Sequence, residues 1–214
     1  MKTHIVIARY NEDIQWLKYI NTDLFDIFIY NKGADLTTDV KCSVIKLDNV
    51  GRESHTYLYH IVANYECLPE NIIFSQAHPF DHTRNSFIDE VNHFGKNNAD
   101  FFYFSKNMLT IEYDAIKNMF VEFGILHGNN WRNYHRTDSP LFKMYETLFG
   151  KFENSTLKLS FGPGAIYGVN KKVITKRGRD FFSNCIAILN NSNNLKNPDE
   201  GHCFERLWYH IFNS

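Results

Sequence analysis

Short, unbroken apolar runs bounded by polar residues recur along the first part of the chain, and several are followed by segments whose apolar positions repeat at helical spacing. Ile5 to Ala8 is the first such run, and its lack of alternation predicts a strand buried on both faces. A helical stretch follows from about Asp13 to Tyr19, then a second strand from Phe25 to Tyr30 that closes in the turn Asn31-Lys32-Gly33. Val44 to Leu47 is a third, shorter strand. From His55 to Tyr65 the positions Tyr57, Leu58, Ile61, Val62 and Tyr65 fall on one helical face, with Ser54 placed as its N-cap. Asn71 to Ser75 is another buried strand and runs into the polar segment Gln76-Ala77-His78-Pro79-Phe80-Asp81-His82.

The middle of the chain is less periodic. Phe87 to Phe94 reads as a helix, Asp100 to Phe104 as a strand, Asp114 to Phe123 as a helix, Trp131 to Pro140 as a loop and Leu141 to Phe149 as a helix. Phe161 to Val169 is a glycine-punctuated turn entering a strand, Lys171 begins a helix reaching about Ile188, and an Asn-rich loop precedes a last helix from Gly201 to Phe212. Strands alternating with helices predict an α/β fold, a Rossmann-like, mostly parallel or mixed central β-sheet flanked by helices. Right-handed crossovers place the loops after Ala8, Tyr30 and Ser75 at one edge, where such sheets bind ligands.

The length, 214 residues, suits one domain over residues 1–214, which stands alone or as one domain of a longer protein. An aromatic content of 16% predicts a core rich in rings, with some left to line a groove. A net charge of -1, with Lys and Arg scattered, offers no footprint for nucleic acid, although two or three placed cations suffice for a phosphate-bearing small molecule. Cys42, Cys67, Cys185 and Cys203 form no CxxC pair, and the N-terminus becomes polar after four apolar residues. A cytoplasmic protein with reduced thiols and no membrane span is expected.

Four segments have residue types suited to chemistry. Ala8-Arg9-Tyr10-Asn11-Glu12-Asp13 ends the first strand, where a ring can stack on a base, Asn or an acid can bond ribose, and Arg9 can pair with phosphate. Asn49-Val50-Gly51-Arg52-Glu53-Ser54-His55 is a glycine turn that feeds a helix N-terminus, so exposed amides and Arg52 form an anion site. His78, Asp81 and His82 place two imidazoles and a carboxylate within five residues, a ligand set suited to Mn²⁺ or a similar divalent ion such as Mg²⁺. Asp199, Glu200 and His202 open the last helix, on which His202, Glu205 or Arg206, and Tyr209 share a face. Each segment also has a plain structural explanation as a helix cap, a surface residue or a favourable charge at a helix start.

The blocks IVIARYNEDIQWL, IYNKG, NVGRESHTYLYHIV, NYECLPENIIFSQAHPFDH, GAIYGVNKKVI and ERLWYHIF resemble, in that order, those of the uncharacterised family DUF3431. That family in turn resembles the GT-A glycosyltransferases. The resemblance implies a GT-A-like hexosyltransferase that moves a sugar from a nucleoside diphosphate sugar, UDP-sugar favoured, to a hydroxyl of a glycan, protein or lipid-linked acceptor. It implies nucleotide contacts from Ala8, Arg9, Tyr10, Asn11, Glu12, Lys32, Arg52 and Gln76, and a Mn²⁺ or Mg²⁺ ion held by Asp81 with His78 or His82. Asp199 or Glu200 would be the general base of an inverting reaction, with His202 beside them. One departure bears on the metal: no DXD triplet follows the Asn71 to Ser75 strand, so Arg9, Arg52 or Lys32 could neutralise the diphosphate instead. A glycan- or partner-binding module, or a metal-dependent hydrolase, would draw on the same residues.

Overall fold

The structure, a computed structural model, describes residues 1–94, 99–151 and 157–213. Its central sheet has six strands: β1 (Thr3–Arg9), β2 (Phe25–Asn31), β3 (Ser43–Lys46), β4 (Asn71–Gln76), β5 (Phe101–Tyr103) and β10 (Tyr167–Asn170). They lie in the order β3-β2-β1-β4-β10-β5. The first four are mutually parallel and β10 runs antiparallel to both neighbours, which makes the sheet mixed. Successive residues point to opposite faces, so Val6, Ile72 and Phe74 enter one core while Ile5, Ile7 and Ile73 enter the other. The first core lies under α1 (Arg52–Ala63), α5 (Arg179–Asn190) and α6 (Asp199–Asn213), and the second under α2 (Phe87–Phe94) and a 3-10 turn at Gln15–Tyr19.

Several expectations about local structure need correction. Ser54 does not cap α1; the helix starts earlier, after Gly51 at φ 63, and Ser54 is buried with its hydroxyl donating to Gly201 O. The stretch read as a helix from Asp114 to Phe123 and a loop from Trp131 is instead antiparallel sheet. It comprises β6 (Leu109–Asp114), β7 (Met119–Leu126) and β8 (Asn129–Arg136), with β9 (Lys158–Phe161) completing the order β8-β7-β6-β9. The β7–β8 turn is His127-Gly128, both left-handed at φ 50 and 78, which matches the twist of a tight hairpin. The helix expected from Lys171 to Ile188 is divided into α4 (Lys171–Ile174) and α5. The second sheet packs on α3 (Pro140–Phe149), where the Phe120 and Phe142 rings stack 3.6 Å apart. Among the described residues no helix is long and apolar enough to cross a membrane.

Candidate functional site

Chain connectivity places β2 and β3 to one side of β1 and β4 to the other, so the connections diverge between β1 and β4 and leave a crevice at their carboxyl ends. A cleft of roughly 290 Å³ lies there, lined by Ala8, Arg9, Tyr10, Glu12, Lys32, Asn49, Arg52, Glu53, Gln76 and Lys196. Seven of the eight residues expected to hold a nucleotide are in this lining. Asn11, the eighth, turns away and accepts from the Ala34 amide at 2.9 Å, which ties the loops after β1 and β2 together. Gly33 permits this join: a Cβ there would stand 1.6 Å from Tyr10 O. Tyr10 is half exposed at the rim, as a ring that stacks on a base must be.

The cations of the cleft differ in freedom. Arg9 is turned into the loops it supports, donating from Nε to Glu12 O at 2.9 Å and from Nη1 to Asn31 Oδ1 at 2.7 Å. Glu12 is likewise engaged, its Oε2 accepting the Tyr10 and Asn11 amides at 2.7 and 3.1 Å. Lys32 is buried and donates to the carbonyls of Val50 (2.6 Å) and Arg52. Burial lowers its ammonium to about 8, opposed by the Glu53 carboxylate. Burial raises the Glu53 carboxyl, against the pull of the neighbouring Arg52. Arg52 has φ 52, a left-handed value unfavourable for a side chain of this size, and follows a glycine in the same region. Its stem crosses Gly201, where a Cβ would come within 2.9 Å of Arg52 Cδ, and its Nη1 donates to Asn197 Oδ1 (2.8 Å) and His202 Nε2 (3.1 Å).

That Arg52–His202 contact divides the first cleft from a second of roughly 250 Å³, lined by His135, Ser139, Pro140, Leu141, Asp199, His202, Cys203 and Arg206. An arginine only donates, so His202 Nε2 accepts, and burial together with Arg52 lowers the imidazole's pKa. Asp199 and His202 thus share a cleft, whereas Glu200 lines a different groove against α3. Beneath the second cleft Glu122, 1% exposed, accepts from Trp131 Nε1 (2.8 Å), His135 Nε2 (2.9 Å) and Arg206 Nε (2.7 Å).

Of the three residues expected to hold a metal, His78 and Asp81 come together and His82 stands apart. His78 and Asp81 are exposed and face each other at 3.7 Å, while His82 packs its ring against Gly164, beside Glu205 and His127. No three His, Cys, Asp or Glu side chains among the described residues are grouped as a metal site. Asn49 and Glu53 lay in the segment expected to form an anion site but were not among the residues expected to hold the nucleotide; Lys196 was not expected in the cleft, nor were His135 and Ser139 in the second or Glu122 beneath it. For Glu122 a signal was present, since Phe120-Val121-Glu122-Phe123-Gly124-Ile125 before His-Gly also fits one arm of a hairpin.

Together the fold and the site define a mixed α/β protein with a cation-rich cleft at the carboxyl edge of its parallel strands. The chain belongs to the family described as protein of unknown function DUF3431, whose sequence profile matches residues 5–214. No curated protein matches the chain.

Proposed function

We propose that this protein is a glycosyltransferase of GT-A type that moves a sugar from a nucleoside diphosphate sugar, with UDP favoured, to a hydroxyl acceptor. The observation that carries this reading is the first cleft. It sits at the β1/β4 divergence and combines an exposed ring, Tyr10, with four cations against the two carboxylates of Glu12 and Glu53. The nucleoside lies against Ala8 and Tyr10, and the diphosphate lies toward Arg52 at the start of α1.

The adjoining second cleft supplies the acceptor side. Its hydroxyl oxygen bonds to the anomeric carbon as the bond from that carbon to the β-phosphate oxygen breaks, and the electron pair leaves with the nucleoside diphosphate. In an inverting reaction the acceptor proton passes to Asp199. His202 is a poorer base, because the Nε2 lone pair is engaged by Arg52. Glu200 faces the wrong groove. Cations near the leaving diphosphate stabilise the charge that develops there.

The residues present do not fit a divalent ion at the diphosphate. Neither His78 nor Asp81 lines the cleft, Glu12 is engaged by its own loop, and Glu53 stands beside Arg52.

The test is thermal stability against a panel of nucleoside diphosphates and nucleotide sugars, with and without Mn²⁺. A ligand at one hundred times its Kd adds about 2.7 kcal/mol. A selective rise with one nucleotide family supports the transferase and identifies its donor. A flat panel refutes it.

A further inference from the structure

Resting on the donor reading above, the geometry points to a diphosphate clamp made wholly of this chain's own cations: Arg52, Lys32 and Lys196 around the start of α1 hold the two phosphates without a divalent ion.

Three observations lead here. Arg52 is positioned at a conformational cost, since it adopts a left-handed backbone and lies across Gly201. Its Nη1 is fixed by Asn197 and His202, but Nε is buried without a hydrogen-bond partner, 3.4 Å from Glu53 Oε2 and poorly aligned with it. Among the described residues Nη2 donates to nothing. An arginine held at one nitrogen and free at another is prepared for an anion.

Lys32 uses two of its three protons on the Val50 and Arg52 carbonyls, which hold the ammonium at the base of the cleft with one proton to give. Lys196 is exposed on the loop before α6 and, among the described residues, makes no hydrogen bond or ion pair. No side chain caps the α1 N-terminus, whose dipole adds to the same field.

The charge count agrees. Four cations and two carboxylates leave the lining with a formal excess of two positive charges. A nucleoside diphosphate sugar carries about two negative charges on its two phosphates, each a singly ionised diester-like group. A divalent ion brought to the same place would meet cations first and find carboxylates already engaged.

The experiment is calorimetric titration with inorganic pyrophosphate in EDTA, and with UDP in EDTA and in micromolar Mn²⁺. Pyrophosphate should bind in EDTA, and UDP should bind with a Kd that changes less than threefold between EDTA and Mn²⁺. Arg52→Gln should weaken pyrophosphate at least tenfold. Lys196→Ala, an exposed site whose replacement leaves the unliganded melting temperature unchanged, should weaken it about threefold. UDP binding that requires Mn²⁺ overturns the clamp and leaves the donor reading intact. Pyrophosphate binding in EDTA with no nucleoside diphosphate bound more tightly keeps the clamp and removes the donor reading. Pyrophosphate affinity unchanged in both variants, or absent altogether, overturns the clamp.

Discussion

Glu122 allows a stability effect to be worked from structure. It projects inward from β7 and is met by an indole, an imidazole and two guanidinium nitrogens, Arg206 Nη2 lying 3.2 Å from its other oxygen. Burial alone would raise its carboxyl; the hydrogen bonds from His135, Arg206 and Trp131 outweigh burial and bring it from 4.5 down to about 2. A carboxyl that titrates near 2 when folded and near 4.5 when unfolded favours the folded state by about 3 kcal/mol at neutral pH. Because the folded value is depressed, this contribution is complete above 4.5 and is lost as pH falls through 2, with about 2 kcal/mol gone by pH 3. Glu122→Gln keeps the shape, removes the charge and leaves Arg206 with only the more distant Glu205 carboxylate, 3.7 Å away, as its counterion. Urea denaturation should therefore show a loss of about 3 kcal/mol at pH 7, a fall in melting temperature of roughly 6 to 12 °C, and a gap that narrows to about 1 kcal/mol at pH 3. By contrast, Asp138→Asn, which removes the exposed pair with Arg136, should change stability by no more than about 0.5 kcal/mol. A Glu122→Gln loss below about 1 kcal/mol at pH 7, or a gap independent of pH, would refute the account.

Two further outcomes follow from other sites. His60 is fully buried between Tyr30 Oη at 2.8 Å and His4 Nδ1 at 3.1 Å, and burial, aided by His4, lowers it to about 3. The unfolded chain therefore takes up the proton first, and stability falls as pH drops from about 6.5 toward 3. His60→Gln should flatten that dependence by about 1.4 kcal/mol per pH unit between pH 6 and 4, and an unchanged slope in urea titrations would contradict it. Gly33→Ala must push the β1 and β2 loops apart, because its Cβ would overlap Tyr10 O. It should lower stability by about 2 kcal/mol or more and abolish the thermal shift given by any cleft ligand; a variant that keeps the full shift would show that the two loops need not touch.

Much of the sheet and part of the cleft were legible in the sequence, for one physical reason. A parallel strand buried on both faces has to be largely apolar, so Ile5 to Ala8, Phe25 to Tyr30 and Asn71 to Ser75 stand out without knowledge of their neighbours. The loops that follow them then fall at one edge by the handedness of the connections, and Ala8 to Glu12, Lys32 and Gln76 come with them. In the second sheet β6 alternates apolar and polar residues and β7 is largely apolar, so both were open to a strand reading, whereas β8 was hidden because it is exposed and polar. Asn129–Arg136 carries no apolar alternation, and two of its side chains, Trp131 and His135, meet a buried carboxylate rather than an apolar core. A strand whose inner face is built around a charge cannot be recognised from hydrophobic periodicity. Lys196 was missed for a different reason: its loop is tied to the cleft by Gly51 N bonding Leu195 O at 2.7 Å and Arg52 Nη1 bonding Asn197 Oδ1 at 2.8 Å, contacts between distant segments that no local pattern encodes.

The second sheet bears on the cleft through α6. Glu122 holds Arg206, Arg206 Nη1 donates to His202 O at 3.0 Å one turn back along the helix, and His202 Nε2 accepts from Arg52. Arg52 also rests on Gly201 of that helix. A single element thus joins the buried charge of the second sheet to the cation at the mouth of the first cleft. Loosening α6 at Glu122 should disturb Arg52 even though Glu122 stands on β7 and Arg52 at the start of α1. Glu122→Gln, measured well below its melting temperature, should weaken pyrophosphate binding at least threefold, while Asp138→Asn leaves it unchanged. If Glu122→Gln lowers stability and binding is unaffected, α6 keeps its place without the buried charge.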